Sequence, residues 1–304
     1  MPLKEASDKI VIAHRGASGY VPEHTMESKA MAHAMNSDYI EQDLVLSKDN
    51  VPIVIHDIHL EEVTNVAVLY PEMAREDGRF YVIDFTFDQI MALSVNERIN
   101  YKTKKVVFPN RFPLSKSNFK LHSLQQEIEL IQGLNKSTGK NIGIYPEIKN
   151  PSFHREHGKD ISKIVLQVLD DFGYKKWSDP CILQCFDAKE LQRIREDLNS
   201  NLFLTQLLEF PEGSENFEKY ASYADAIGPS IEQLLLAGMG KTEGNKMVDK
   251  AHEFNLKVHA YTFRKDEHPN FDDFESLLQY GFNDINLDGG FTDFPDTVIN
   301  FLRE

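Results

Sequence analysis

Four short segments of this chain carry side chains that could do chemistry together. They are His14-Arg15-Gly16, Glu41-Gln42-Asp43, His56-Asp57 and Glu147-Ile148-Lys149, and each lies in or directly after an apolar run. Carboxylates supply hard oxygen ligands for metal ions, imidazoles exchange protons near neutral pH, and Arg and Lys bind phosphate oxygens. This combination of residue types indicates metal-assisted acid–base chemistry on an anionic substrate.

Three of these carboxylates predict a site for one divalent cation. Glu41 and Asp43 are two residues apart, so on a β-strand both side chains leave the same face, and Glu147 can complete the set. Three adjacent carboxylates repel one another unless a cation separates them or they bind protons. An oxygen-only ligand set favours Ca²⁺ or Mg²⁺ over zinc. Each acid taken alone also fits a solvated rim residue, an alternative that their shared position on strand ends weakens.

His14 and His56 are the candidate acid–base pair, because an imidazole can take a proton at one step and return it at another. Residues 47–50 have turn composition, and a four-residue hairpin loop there would pair Glu41 with His56. The two Cβ atoms would then lie about 5 Å apart. A slip of one residue would instead turn His56 away from the predicted metal.

Arg15 and Lys149 are the candidates for binding phosphate oxygens. Arg15 offers a bidentate fork, and Lys149, which shares a strand face with Glu147, offers a point charge. Ion pairs at a rim are the alternative for both. Later strand ends could line a pocket for a small polyol and its leaving group, with core or wall packing as the alternative for the aromatic residues. These candidate substrate contacts are Gln184, Phe186, Tyr261 and Phe291.

Short apolar runs alternate along the chain with amphipathic segments, as expected when helices join parallel strands. Eight strands in such alternation favour an α/β fold of the TIM (β/α)₈ barrel type over an open doubly wound sheet, and no G-x-G-x-x-G follows the first strand. In a barrel the active site lies at the carboxyl ends of the strands. The predicted strands cover residues 9–14, 39–46, 142–148, 181–186, 202–207, 224–228, 257–263 and 284–288.

Helix starts are readable at three places, and the alternation fails at one. Ser123 with Gln126 has capping-box spacing, Asp160 precedes an apolar stripe of helical period, and Asp187 has Glu190 three residues on. Between residues 57 and 118 no clear period exists, and the stretch is too long for a plain loop. We therefore predict a single domain over residues 1–304, with an insertion at 57–118 after the second strand region.

Composition limits the partners. The chain has 304 residues and a formal net charge of −15, which argues against nucleic acid or an acidic membrane as a partner. No apolar run reaches about 18 residues, so no stable membrane insertion is expected. The visible start has no apolar secretory core, which fits a cytosolic protein and an exported mature protein equally. Cys181 and Cys185 would lie about 13 Å apart on a strand, so buried thiols are expected.

Seven motifs in order resemble the glycerophosphodiester phosphodiesterase family, in particular its bacterial glycerophosphoryl diester phosphodiesterase branch. They begin at Ala13, Pro22, Tyr39, Ile55, Ile144, Leu183 and Phe291, and read AHRGA, PEHT, YIEQD, IHD, IYPEIK, LQCFD and FTDFPD. The resemblance implies a TIM barrel with an insertion after His56-Asp57, and hydrolysis of glycerophosphodiesters to sn-glycerol 3-phosphate and an alcohol.

The resemblance also implies roles for individual residues. These are His14 and His56 as the acid–base pair, Glu41, Asp43 and Glu147 as ligands of Ca²⁺ or Mg²⁺, and Arg15 and Lys149 as phosphate contacts. It suggests a periplasmic or exported protein, while a cytoplasmic location and a homodimer stay open. Residues 283–290 depart from the usual run into Phe-Thr-Asp.

Two other functions compete with this one. An enzyme of the same fold could act on lysophospholipids in the manner of a phospholipase D, which would require an apolar groove for the acyl chain. A barrel kept only for binding or adhesion would be expected to lack a catalytic histidine or a metal ligand. Because none of those residues is missing, the enzyme is the preferred interpretation.

Overall fold

The computed structural model describes residues 9–209, 216–236, 241–268 and 270–303. Most strands are short apolar runs bounded by polar or glycine residues, as in β1 with the sequence Ile-Val-Ile-Ala. The strands are β1 Ile10–Ala13, β2 Tyr39–Leu46, β3 Pro52–Val54, β4 Gly143–Ile148, β5 Ile182–Cys185, β6 Phe203–Leu207, β7 Ala226–Gly228, β8 Lys257–Phe263 and β9 Gly289–Thr292.

Eight of these strands form a closed parallel barrel. The order is β1-β9-β8-β7-β6-β5-β4-β2, and β2 pairs back onto β1, which closes the sheet. The remaining strand, β3, pairs antiparallel with the end of β2. This topology confirms the predicted TIM barrel. Closure places the carboxyl ends of all eight strands around one mouth.

Most helices cover the outside of the barrel, and the two that lie between residues 57 and 118 belong to the insertion. They are α1 Met26–Ala34, α2 Val66–Leu69, α3 Phe87–Ala92, α4 Leu124–Thr138, α5 Pro151–Glu156, α6 Ile161–Asp171, α7 Ala188–Glu196, α8 Phe217–Ala221, α9 Ile231–Leu236, α10 Lys241–Glu253, α11 Phe274–Leu278 and α12 Pro295–Arg303. The three predicted starts are confirmed, with side-chain caps at Ser123, Asp160 and Asp187. Within the described ranges no helix is both long and apolar enough to cross a bilayer.

The barrel interior is filled below its mouth. Ile12, Tyr145, Ile182 and Phe291 form a buried cluster there, and the Tyr145 hydroxyl is hydrogen-bonded to Thr205 Oγ1 at 2.6 Å. A larger apolar cluster lies between the strands and the helices. Cys181 and Cys185 are buried free thiols, as predicted. Because packed side chains fill the interior, a substrate could reach only the side chains at the strand ends above it.

The predicted eighth strand was wrong in position. A π-helical turn covers Gln279–Asp284, Asn286 has a φ of +58°, and β9 begins only at Gly289. A Cβ on Gly289 would lie 2.5 Å from Ile10 Cγ1, and one on Gly290 2.7 Å from the Phe263 ring. Close packing therefore requires glycines inside this strand, although glycine pairs are typical of turns.

The predicted hairpin register was also wrong by one residue. Leu46 pairs with Pro52 and Leu44 with Val54, so the loop spans residues 47–51 and Asn50 takes a φ of +66°. His56 is therefore not the partner of Glu41. Because β3 ends at Val54, the chain has left the ladder before His56, and strand alternation no longer dictates where the imidazole points.

The segment 57–118 packs as a lobe beside the barrel mouth. Its buried apolar residues, including Leu60, Val66, Phe85 and Leu93, form a second cluster with Ile53 of β3. α3 begins with a complete capping box between Thr86 and Gln89. This insertion therefore has its own apolar support, and its backbone is fixed relative to the β2–β3 hairpin.

Candidate active site

Three carboxylates converge on β2 and β4, beginning level with the residue that follows β1. The parallel register pairs Asp43 with Glu147, and Glu41 lies two residues before Asp43 on the same face. One oxygen from each of the three carboxylates lies within 4.8 Å of the others, and all three residues are buried. The cluster could hold a metal ion.

Burial opposes the ionisation of these three carboxylates. Burial and the Asp43 carboxylate raise the pKa of Glu41, and burial raises the pKa of Glu147 to about 8. Although burial opposes it, Lys149 lowers the pKa of Asp43 well below its usual range, with help from two histidines. At neutral pH the protein groups alone do not keep all three acids charged. A cation among them would offset the effect of burial.

The donor set fits a hard cation. Asp43 Oδ1 is buried and has no hydrogen-bond partner among the residues that the structure describes. Gln184 Nε2 donates to Glu41 Oε1 at 3.2 Å and so orients this carboxylate. Oxygen donors of this kind suit Ca²⁺ or Mg²⁺. Lys149 Nζ, 2.8 Å from Glu147 Oε1 and 3.7 Å from Asp43 Oδ1, supplies part of the positive charge.

Arg15 lies in a left-handed turn directly after β1, with a φ of +58°. This turn directs its backbone N–H to Glu41 Oε2 at 2.8 Å. Its Nη1 donates to both oxygens of Glu23 at 3.0 Å, while Nη2 has no hydrogen bond within the described part of the chain. Its Nε donates to His14 Nε2 at 3.3 Å. Arg15 is thus anchored at two nitrogens and retains Nη2, which could donate to an anion.

His14 is held by a carboxylate from the far end of the chain. Its Nδ1 lies 2.6 Å from Asp293 Oδ1, and its Nε2 lies 3.8 Å from Glu41 Oε2. The acceptor at Nδ1 favours the tautomer with the proton on that nitrogen. Burial, together with Arg15, lowers the pKa of His14 to about 4 despite Asp293. The imidazole is neutral near pH 7, and its unprotonated Nε2, which accepts a hydrogen bond from Arg15 Nε at 3.3 Å, is the nitrogen that could take up a proton.

His56 is also held through Nδ1 by an aspartate. Its Nδ1 lies 2.9 Å from Asp57 Oδ1, and 31% of its side chain is exposed. Burial and the charges of Arg15 and Lys149 lower the pKa of His56 to about 4, against the opposing effect of Asp43. His56 therefore belongs to the same electrostatic cluster as the carboxylates, although the hairpin register that predicted it was wrong.

A buried polar network lies beneath the carboxylates. Lys29 of α1 is 0% exposed, donates to the carbonyl oxygen of Glu41 and lies 3.2 Å from Glu127 Oε1. His24 Nδ1 lies 3.3 Å from the Lys29 ammonium, and His24 Nε2 lies 2.7 Å from Asp43 Oδ2. Glu41 and Asp43, two of the candidate metal ligands, are therefore held by one chain of buried polar contacts.

The predicted substrate contacts fall at different depths. Phe186 and Tyr261 are half-buried, with ring centroids 5.9 Å apart and edge-to-face geometry, and Lys149 Nζ lies 5.7 Å from the Phe186 ring. Gln184 is buried against Glu41. Phe291 is only 1% exposed and packs beneath the site against Tyr145. The prediction that Phe291 contacts the substrate is therefore corrected: Phe291 lies in the core. Residue 291 is level with Ile12, one layer below the carboxylates.

Several residues at the site were missed by reading the sequence. Asp57 could have been found from its position beside His56, and Asp293 from its place in the FTDFPD motif. Glu23, which holds Arg15, lies in the PEHT motif. Arg98 and Arg111 contact Asp57 and Asp293. The sequence did not identify them, because the segment 57–118 has neither a helical nor a strand periodicity that would place its residues.

Comparisons with known proteins point to one family. A sequence model of the glycerophosphoryl diester phosphodiesterase family matches residues 14–297. The glycerophosphodiester phosphodiesterase of Haemophilus influenzae is 44% identical, with 98% of this chain and 90% of that protein covered. The protein of the same name from Treponema pallidum is 37% identical, with 98% and 92% covered. An Oleispira antarctica phosphodiesterase, solved in complex with the product sn-glycerol-3-phosphate, shares the fold with a TM-score of 0.68 at 18% identity, covering 97% of each chain.

Proposed function

Since the chain belongs to the glycerophosphoryl diester phosphodiesterase family, we propose that it hydrolyses glycerophosphodiesters to sn-glycerol 3-phosphate and an alcohol. One observation carries the proposal. Three converging carboxylates lie at the barrel mouth within the electrostatic reach of two histidines, each bonded through Nδ1 to an aspartate. This geometry provides ligands for a cation together with two proton-transfer groups, which phosphodiester hydrolysis requires.

Glu41, Asp43 and Glu147 would hold one divalent cation, Ca²⁺ or Mg²⁺. When bound, the ion supplies positive charge that neutralises the phosphodiester and makes phosphorus easier to attack. The support for this assignment is the oxygen-only donor set, the unpartnered Asp43 Oδ1 and the raised pKa values of the two glutamates.

Arg15 and Lys149 bind the non-bridging phosphate oxygens in this proposal. The free Nη2 of Arg15 offers a directional donor, while the Lys149 ammonium offers a point charge. Glu23 keeps the Arg15 guanidinium in place through Nη1. Phe186 and Tyr261 then form a wall beside the leaving group. Phe291 has no part in substrate binding here, because it lies in the core.

The two histidines divide the proton transfers. One accepts the proton of the nucleophile, either the glycerol 2-hydroxyl or water, as its oxygen bonds to phosphorus. The other protonates the departing alkoxide as the old P–O bond breaks. With the 2-hydroxyl as nucleophile, a cyclic phosphate forms and water opens it, with the histidines exchanging roles. Burial lowers the pKa of both histidines to about 4. A phosphate anion beside the histidine that acts as the acid would favour its protonation, because a nearby negative charge raises the pKa of an imidazole.

Glycerol 3-phosphate release from glycerophosphocholine tests the proposal. We expect release to stop after chelation and to return when Ca²⁺ or Mg²⁺ is added back. His14→Ala and His56→Ala should each reduce turnover by about 10²–10⁴-fold. His252→Ala is the matched control, because this histidine lies at the opposite end of the barrel, bonded to Asp288. Activity indifferent to the chelator, or normal turnover in both site variants, would refute the mechanism.

Choline release separates the competing substrate class. Cleavage of the head group yields choline from both substrates, whereas lysophosphatidylcholine would leave an acylated glycerol phosphate and no glycerol 3-phosphate. Lysophosphatidylcholine carries the same head group and an added acyl chain, so the two substrates differ only in the need for an apolar groove. We expect higher kcat/KM on glycerophosphocholine. Higher kcat/KM on lysophosphatidylcholine would instead identify a lysophospholipid-specific enzyme of the same fold.

A further inference from the structure

Each candidate catalytic histidine is held by an aspartate, and each aspartate is held by an arginine of the insertion. Asp57 bonds His56 through Oδ1 and Arg98 Nη1 through Oδ2, at 2.9 and 2.6 Å. Asp293 bonds His14 through Oδ1 and Arg111 Nη2 through Oδ2, at 2.6 and 2.7 Å. The two halves of the site therefore repeat one arrangement, histidine to aspartate to arginine.

The arginines are well placed to orient these aspartates. Arg98 and Arg111 have side chains only 11% and 4% exposed, so both arginines are largely removed from water. A second carboxylate fixes each guanidinium bidentately. Glu23 receives Arg98 Nη2 and Nε at 2.6 and 3.0 Å, and Asp266 receives Arg111 Nε and Nη2 at 2.8 and 2.9 Å. Bidentate pairs restrict both orientation and distance.

A fixed aspartate in turn fixes its histidine. A carboxylate that accepts the Nδ1 proton keeps the tautomer in which Nε2 is free to exchange protons. Although burial works against it, His56 and Arg98 keep the pKa of Asp57 well below its usual range, so the acceptor stays ionised. Without the arginine, the carboxylate could rotate or bind water, and the imidazole would lose its preferred orientation.

We propose that the segment 57–118 is a positioning element for acid–base catalysis, in which Arg98 and Arg111 orient both histidines through Asp57 and Asp293. This role rests on the proposed function. Neither arginine touches the carboxylate cluster, so both are positioning residues. In this proposal the insertion contributes to catalysis in addition to packing beside the barrel mouth.

The two arginines differ in ways that predict unequal effects. Arg264 Nε also bonds Asp293 Oδ2, at 2.9 Å, so the loss of Arg111 leaves that aspartate one arginine. Arg98 is the sole arginine on Asp57 among the residues that the structure describes. Arg98 also shares Glu23 with Arg15, the proposed phosphate contact. Its loss should therefore weaken substrate binding as well as proton transfer.

The test measures kcat and KM on glycerophosphocholine for Arg98→Met and Arg111→Met. A misplacement of about 1 Å can reduce a rate by about 10²-fold. We expect Arg98→Met to lose about 100-fold in kcat with a raised KM, and Arg111→Met to lose about 10-fold with KM unchanged. Arg111→Lys, which keeps the charge without the bidentate geometry, should recover part of that loss.

Arg75→Met is the matched control, because Arg75 lies in the same insertion and bonds Asp84 bidentately without any contact to a histidine. It should keep normal kcat and KM. Circular dichroism and thermal melting check that each variant is folded, and Arg98→Lys and Arg111→Lys replace any methionine variant that is not.

Two outcomes overturn the positioning role. One is that Arg98 and Arg111 variants, once folded, lose no more turnover than Arg75→Met. The other is that their losses appear only in KM. If the wild-type chain itself releases no glycerol 3-phosphate in the same assay, the proposed function has failed, which separates the two cases.

Discussion

Removing the buried ammonium of Lys29 should destabilise this protein strongly. Lys29 is fully buried and lies 3.2 Å from Glu127, which is itself 0% exposed. Lys29→Met would remove the ammonium group that pairs with the Glu127 carboxylate. The carboxylate would keep its hydrogen bonds to Gln42 and His122. Breaking a buried ion pair on one side typically costs about 3–5 kcal/mol. Against a total of about 5–15 kcal/mol for a native domain, this loss is severe.

A double-mutant cycle measures whether the pair itself is responsible. Urea unfolding gives the free energy of unfolding for wild type, Lys29→Met, Glu127→Gln and the double variant. We expect each single variant to lose about 3–5 kcal/mol, and the double variant to recover most of it, because no uncompensated charge stays buried. Single losses below about 1 kcal/mol, or a double loss equal to their sum, would refute the reasoning.

Cation affinity supplies a second, independent readout. Lys29 also donates to the carbonyl of Glu41 and contacts His24, which bonds Asp43. The double variant restores charge balance but not these contacts. Calorimetric titration with Ca²⁺ should therefore give weaker binding in both Lys29→Met and the double variant, even though only the former is unstable. Normal affinity in both would show that the network does not orient the carboxylates.

Buried titratable groups elsewhere in the protein should also affect its stability and its affinity for Ca²⁺. Burial lowers the pKa of His154 and His259 to about 4. The unfolded chain therefore binds more protons than the folded protein between pH 6.5 and 4. Urea unfolding should show that the free energy of unfolding falls as the pH drops through this range. Glu97 is 3% exposed, its Oε2 has no hydrogen-bond partner in the described ranges, and burial raises its pKa to about 7. Glu97→Gln should therefore stabilise the protein by about 1 kcal/mol at pH 8 and by less at pH 5, again measured by urea unfolding. Lys149→Met removes a positive charge 2.8 Å from Glu147 and should bind Ca²⁺ more tightly in calorimetry while turning over more slowly.

The barrel and the convergence of the three carboxylates were predictable because both depend on the periodicity of the strand sequences. Strand parity alone places Glu41 and Asp43 on one face, and parallel neighbours then bring in Glu147. Helix starts were predictable because the caps at Ser123 and Asp160 are made within three residues. Such features need no knowledge of distant contacts.

The two errors in the strands arose where a local rule competed with packing. Gly289 and Gly290 form a strand because neighbouring side chains leave no room for a Cβ, a fact that only the folded neighbours supply. Asn50 takes a left-handed conformation and lengthens the hairpin loop by one residue. Turn composition indicated the loop correctly, but it does not fix the number of residues in it.

The orientation of the histidines could not be read from the sequence, because it depends on partners far along the chain. His14 and Asp293 are 279 residues apart, and Arg98 and Glu23 are 75 apart. An imidazole has two nitrogens, and the one that faces the substrate is decided by the acceptor at the other. Candidate histidines in similar barrels should therefore be judged by the carboxylate at Nδ1 and by what holds that carboxylate. By this criterion the insertion, although its sequence has no clear period, belongs to the surroundings of both histidines, because Arg98 and Arg111 bond Asp57 and Asp293.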